Sequence, residues 1–227
     1  MPPRIRWQPS PPSVTSPVPI SGFTNVAQVE ASHGLFVPAF VVRRTTGAMA
    51  WWSGGGAIEG PVPSISDATD VTVGVSYTAG SPYYCAVRSG GAVTCWGGSA
   101  WGVMFSTSGT EIMTGISDVE AVPSTNFGGE SGVCGVTTTG SVSCIGSDGF
   151  GQLGLGGAYD LRYTVAAVSP YLAGVISLSS FDKGACALDA LGVIRCWGVT
   201  DAFQTGTGTV GPDPGQTQRT PVVVVGF

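Results

Sequence analysis

CAVRSGGAVTCW, residues 85–96, sets two cysteines symmetrically about a Ser-Gly-Gly turn. Cys85, Val87, Val93 and Cys95 fall on one face of the hairpin this predicts, and Ala86, Arg88, Ala92 and Thr94 on the other, the period of two that paired strands require. Folding about residue 90 brings Cys85 opposite Cys95. Directly opposed residues of antiparallel strands have Cα atoms about 4.5–5.5 Å apart, inside the disulfide window.

The stretch recurs. Aligned on its turn glycine, it reads Val41-VRRTTGAMA-Trp51-Trp52, Cys85-AVRSGGAVT-Cys95-Trp96, Cys134-GVTTTGSVS-Cys144-Ile145 and Cys186-ALDALGVIR-Cys196-Trp197. The glycines are Gly47, Gly91, Gly140 and Gly192, at steps of 44, 49 and 52 residues. A glycine-rich segment follows each hairpin, clearest from Gly146 to Gly157 and from Gly198 to Gly208, with Gln152 matching Gln204 and Gly154 matching Gly206. A Val/Ile-rich strand pattern precedes each. One unit is strand, turn, hairpin, glycine-rich loop and strand, at a period suited to propeller blades.

The same hairpin geometry pairs Cys134 with Cys144 and Cys186 with Cys196. Disulfides are the favoured reading, with free buried thiols second. Zinc and redox chemistry rank last, because the spacing exceeds that of a zinc knuckle and the one histidine, His33, lies far upstream. Val41 and Trp51 hold the sulfur positions in the first unit, so an apolar cross-strand pair substitutes there. Persistent bridges imply an oxidising location, which is extracellular, cell-surface, virion-exterior or periplasmic.

Composition agrees. With 43% hydrophobic residues the chain is a folded protein, and 36 glycines, 16 prolines and 10% charged residues describe short strands and tight turns rather than amphipathic helices. Nine Lys and Arg against a net charge of −5 provide no basic face for nucleic acid. No apolar run approaches the roughly 20 residues of a membrane helix, so membrane insertion is not expected. Residues 1–19, with PSPP and SPVP, read as a Pro-rich leader or linker lacking the apolar core of a secretion signal. Residues 20–227 read as the repeat domain, with units at about 20–60, 61–109, 110–163 and 164–219. The terminal strand 220–227, TPVVVVGF, reads as the opening of a fifth unit.

Catalytic chemistry is thinly represented. His33 has no nucleophile motif beside it. Asp118 and Glu120 alternate on one strand and are expected at a solvated rim, not as a glycosidase pair. Asp148, Asp160, Asp201 and Asp213 lack calcium-loop spacing and suit turns. The glycines at 54–56 and 151–156 lack the strand-then-helix setting of a phosphate loop. Neither cofactor nor metal is expected, and the chain reads as a non-enzyme. Trp52, Trp96 and Trp197 recur at one blade position and are assigned to the core. Tyr83, Tyr84, Trp101, Phe105, Phe127, Phe150 and Phe203 are the candidate partner-binding aromatics. The loops at 103–110, 124–131 and 201–217 are the places to find a partner. A solitary Val222–Val225 strand would be an edge inviting association, with the first unit or with another chain; the third outcome is that the sequence is a piece of a longer propeller.

Cys186-Ala187-Leu188, Gly192-Val193-Ile194, Cys196-Trp197-Gly198 and Gly151-Gln152-Leu153-Gly154-Leu155-Gly156 together resemble the regulator of chromosome condensation repeat family, in its bacterial, cysteine-paired form. The resemblance covers about residues 17–227 and implies a β-propeller of four-stranded blades, usually seven. Here about four antiparallel blades make an all-β propeller or partial propeller. The family's histidine two positions before the first cysteine is replaced by Ala39, Tyr83, Gly132 and Gly184, and its loop asparagine by Ser99, Asp148 and Thr200. The resemblance therefore implies the scaffold without the founder's nucleotide-exchange activity. A related inhibitor of β-lactamases implies that such a scaffold serves protein binding alone. The expected function is extracellular recognition of a protein through one rim. The alternative is a structural subunit of a surface fibre or virion appendage joined by terminal strands. A protein or further copies of the chain are the expected partners, with a surface glycan as a secondary class.

Overall fold

The computed structural model describes residues 23–32, 39–53, 58–59, 65–76, 81–100, 103–104, 109–122, 131–157, 161–168, 172–208 and 217–225. The regular structure among them is all strand, in four four-stranded antiparallel sheets and one small hairpin. Blade one is β1 (Val26–Ala31), β2 (Ala39–Arg44), β3 (Met49–Ser53) and β4 (Ile58–Glu59). In blade two, β5 (Ala68–Ser76), β6 (Ser81–Arg88) and β7 (Val93–Gly97) are followed by the hairpin β8 (Ser99–Ala100) and β9 (Val103–Met104), and then by β10 (Thr110–Met113) against β7. Blade three is β11 (Ile116–Val122), β12 (Gly132–Thr137), β13 (Val142–Ser147) and β14 (Leu161–Ala167). Blade four is β15 (Val175–Phe181), β16 (Gly184–Asp189), β17 (Ile194–Val199) and β18 (Thr217–Val223). This is the expected all-β propeller architecture.

The expected hairpin register holds throughout. Cys85 opposes Cys95, Cys134 opposes Cys144 and Cys186 opposes Cys196, each pair a disulfide with Cα atoms 4.1, 4.1 and 4.0 Å apart. Val41 opposes Trp51, the apolar pair standing in for the bridge. The unit boundaries differ from the expected ones. Residues 110–113, 161–167 and 217–223 each close the preceding blade as its outermost strand. The terminal strand therefore does not open a fifth unit: Val222 pairs with Cys196 and Val223 with Arg195.

Consecutive blades pack face to face. Val41 and Met49 of blade one meet Val71, Tyr84, Ala86 and Trp96 of blade two. Cys85, Val87, Val93 and Met113 then meet Val119, Val133 and Ile145 of blade three. Cys134, Val136, Val142 and Leu153 meet Leu178, Ala185 and Trp197 of blade four. No core cluster joins blade four to blade one among the described residues.

The turn glycines align the blades. Gly47, Gly91, Gly140 and Gly192 all have φ between +77° and +82°, left-handed backbone that costs most side chains about 1–2 kcal/mol. Their carbonyls point down the chain: Gly47 accepts from Ala68 N–H at 3.0 Å, Gly91 from Ile116 at 2.9 Å and Gly140 from Val175 at 2.9 Å. A hairpin turn in one blade thus fixes the start of the inner strand in the next.

Candidate functional site

The glycine-rich loops after β13 and β17 form one rim. In blade three, Asp148 Oδ1 accepts from Leu153 N–H at 2.8 Å and Gln152 Oε1 from Phe150 N–H at 2.8 Å, which folds residues 148–157 on themselves. Blade four then receives the loop. Trp197 Nε1 donates to the Gln152 carbonyl at 2.9 Å, and Gly154, at φ +72°, lies so flat on the indole that an added Cβ would stand 2.9 Å from the ring. From β18, Arg219 donates to the carbonyls of Asp148, Gly149 and Gly157, each at 3.2 Å.

The corresponding loop of blade four, 200–208, has the same skeleton. Gln204 Oε1 accepts from Ala202 N–H at 2.9 Å, and Phe203, Gly206 and Gly208 are left-handed (φ +61°, +64°, +71°) where blade three has Gly151, Gly154 and Gly156 (φ +70°, +72°, +77°). Phe203 therefore holds a glycine conformation, and 55% of it is exposed. A bulky residue kept left-handed stores about 1–2 kcal/mol of strain, and such strain concentrates at contact sites.

The second polar feature is a ladder along the innermost strands. The edge of β11 that faces away from β12 is satisfied by blade two, because Asp70 Oδ2 accepts from Val119 N–H at 2.8 Å and Thr72 Oγ1 from Ala121 N–H at 3.0 Å. One blade later, Asp118 Oδ2 accepts from Leu178 N–H at 3.0 Å and Glu120 Oε1 from Ser180 N–H at 2.9 Å. In blade one, Gln28 Nε2 donates to Asp70 Oδ1 at 2.7 Å. Burial, then the charge of Asp70, raises the Asp118 carboxyl to about 6. Burial raises Glu120 to about 7 against the bonds from Ser180 that favour its ionised form. These two acids were expected at a solvated rim. They are instead half-buried, because the blades converge there and each strand edge needs acceptors. Sequence reasoning missed this role, although Gln28-Val-Glu30, Asp70-Val-Thr72, Asp118-Val-Glu120 and Ser177-Leu-Ser179 stand at one register.

The predicted partner-binding aromatics separate. Tyr83 and Tyr84 are fully buried, a correction to their assignment to a contacting face. They are adjacent residues on opposite faces of a sheet covered on both sides: Tyr83 Oη donates to the Gly132 carbonyl of blade three at 2.9 Å, and Tyr84 Oη to the Trp52 carbonyl of blade one at 3.3 Å. Trp101, Phe105 and Phe127 lie outside the described residues, as do His33, Asp160 and Asp213. Phe150 is half-buried, with Lys183 Nζ 5.3 Å from its ring centroid. Phe203 is exposed on the rim. Trp96 and Trp197 are core, whereas Trp52 is half-buried.

Asp201 serves its turn, accepting from Gln204 Nε2 at 2.6 Å. No group of three metal-ligating side chains occurs among the described residues. A cleft of about 320 Å³ between the outer strands of blades two and three is lined by Glu111, Ile112, Met113, Thr114, Ile116, Ser143 and Val165. No described helix is long and apolar enough to cross a membrane.

Solved structures share this fold. Human WBSCR16 superposes with a TM-score of 0.60 at 16% identity, over 87% of this chain and 55% of its own. Prp20p from Saccharomyces cerevisiae, in a structure described together with its binding to Gsp1p and histones, gives 0.59 at 12% identity, over 82% and 48%. The same yeast protein, RCC1 (Prp20), in a structure with Kap60 bound to it, gives 0.58 at 14%, over 82% and 47%. The fold is thus an RCC1-like propeller, and the chain spans about half the length of these structures. No protein-family model matches the sequence, and no curated protein matches it by sequence.

Proposed function

We propose that the chain is a non-enzymatic recognition module that works outside the reducing cytoplasm and binds a protein through the rim carrying loop 200–208. The observation that carries this reading is Phe203, an aromatic held exposed in a strained conformation where the homologous loop uses glycine. Two further features support it. Three disulfides suit an oxidising, extracellular setting. The structural relative Prp20p is described with protein partners, Gsp1p, histones and Kap60.

The fibre reading through terminal strands is weaker. β18 is an edge, but it pairs with β17, and Pro221 and a register irregularity interrupt it, two devices that blunt edge-to-edge association. A photo-crosslinking residue at position 203, presented to surface proteins of the producing cells, should give a discrete adduct. The same residue at Leu191, which is 89% exposed at the opposite end of β17, should give none. Equal labelling from both positions, or none from 203, would refute the rim assignment.

A further inference from the structure

We propose that the two end faces of the arc fit each other, so that two copies of this chain join blade four to blade one, twice, and close an eight-bladed ring. The contacts that join blades within the chain provide the template, and among the described residues each end face carries one half of them.

At the start of the inner strand, Ala68, Ile116 and Val175 are buried and donate to the turn glycine of the preceding blade. Val26 holds that place in blade one and is 42% exposed. At the other end, the turn glycine Gly192 has nothing within 4 Å of where its Cβ would stand, whereas Gly140 has the backbone of Gly174 at 2.9 Å. The Gly192 carbonyl and the Val26 N–H are thus the two halves of the bond made three times inside the chain.

The inner ladder repeats the pattern. Ser177 and Ser179 stand where Asp118 and Glu120 serve the next strand, and a hydroxyl does this at Thr72. By the alternation of an antiparallel pair, the N–H groups of Val29 and Ala31 face away from β2 and are the matching donors.

The apolar surface is also split between the ends. Val29 is 60% exposed where Val71, Val119 and Leu178 are buried, and Leu188 is 36% exposed where Val87 and Val136 are buried. Beside them, Phe40 and Trp52, stacked at 5.4 Å, are half-buried in blade one, and Ile194 and Val224 in blade four. None of these six side chains is charged.

Trp52 supplies the most specific match. It pairs with Phe40 as Trp197 pairs with Ala185, so it stands at the register that receives a glycine-rich loop. The loop it would receive is 200–208, which keeps Gln204 and the left-handed Gly206; Phe203, at the register of Gly151, would then face the outer strand of the second copy's blade one, so this inference rests on the rim reading above and makes a second copy the protein that position 203 meets. Each copy offers one face of each kind, so a two-fold axis satisfies both interfaces. Eight blades lie within the range that propellers adopt.

The test is solution mass by light scattering at roughly 1–200 µM. The chain, 22.9 kDa, is expected to run at twice its mass. Val29→Glu and Leu188→Lys place a charge at exposed positions that leave each blade's fold intact, and each alone should raise the dimer dissociation constant at least about 100-fold. Mixed one to one, the two variants should recover the dimer, because one interface is then wild type and the other sets the introduced carboxylate against the introduced ammonium. A wild-type monomer throughout the range, whether its end faces stay open or are covered from within the chain, overturns the proposal. So does a mass that keeps growing with concentration, or a mixture no better than either variant alone.

Discussion

Raising the pH from 5 to 8 should destabilise this protein, and Glu120 should carry much of the effect. Its carboxyl is raised from 4.5 to about 7, chiefly by burial between blades three and four. The folded state therefore binds the proton more tightly than the unfolded chain. Stability falls as pH rises through the interval from about 4.5 to about 7 and levels off above it. At about 1.4 kcal/mol per pKa unit the full penalty is about 3 kcal/mol, of which about 2.5 falls between pH 5 and 8. For a chain of this size that is a loss of about 5–10 °C in Tm. Asp118, raised to about 6 by burial and then by Asp70, acts in the same direction. Asp67, held low by the hydrogen bond from Arg88, and Asp189, held low by Val193 N–H and Arg195, are ionised throughout this interval and drop out of the difference. The assay is thermal unfolding by circular dichroism at pH 5 and pH 8 under non-reducing conditions, for the wild type and for Glu120→Gln. Glutamine keeps an acceptor for the Ser180 N–H and carries no charge, so the variant should lose most of the slope and melt above wild type at pH 8. A wild-type Tm that is flat or rises between pH 5 and 8, or a variant that keeps the whole slope, refutes the reasoning.

Four further outcomes are expected. In the monomeric Val29→Glu background, Gly140→Ala should cost at least about 1 kcal/mol more than Gly192→Ala in urea unfolding, because the two share a left-handed φ and only the methyl at 140 meets backbone, at 2.9 Å. Phe203→Gly should raise stability by about 0.5–1 kcal/mol through release of backbone strain, while abolishing capture of the partner identified by crosslinking from position 203. Tyr83→Phe should cost about 1–1.5 kcal/mol, with the denaturant midpoint shifted and the m-value unchanged, because the Gly132 carbonyl loses its buried donor. Replacing Cys85 and Cys95 together by valine should cost about 2–3 kcal/mol by chain-entropy reasoning, and the same variant should show two remaining bridges by peptide mapping.

The hairpins were legible because every constraint on them is local. A turn glycine at fixed distance from two cysteines sets the strand register with no knowledge of neighbours, and the Val41–Trp51 pair obeys the same rule without sulfur. Blade boundaries were not legible. A tandem repeat reads the same wherever it is cut, and whether residues 217–223 open a unit or close one depends on which strand they pair with across a glycine-rich loop.

Burial misled for a related reason. In a sheet with one solvated face, adjacent residues divide into one buried and one exposed, so the dipeptide Tyr83-Tyr84 advertises an exposed aromatic. A middle blade has no solvated face, and both rings are enclosed, each hydrogen-bonded to a different neighbour. The inner acids follow from the same geometry, since a carboxylate pointing out of its own blade points at the open strand edge of the next. The ends of the arc are where single-sheet reasoning becomes right again: Val26, Val29 and Leu188 are exposed, and among the described residues no further blade packs on them. That contrast, between one residue type buried three times and exposed once at the same register, is what distinguishes an unfilled interface from an ordinary surface.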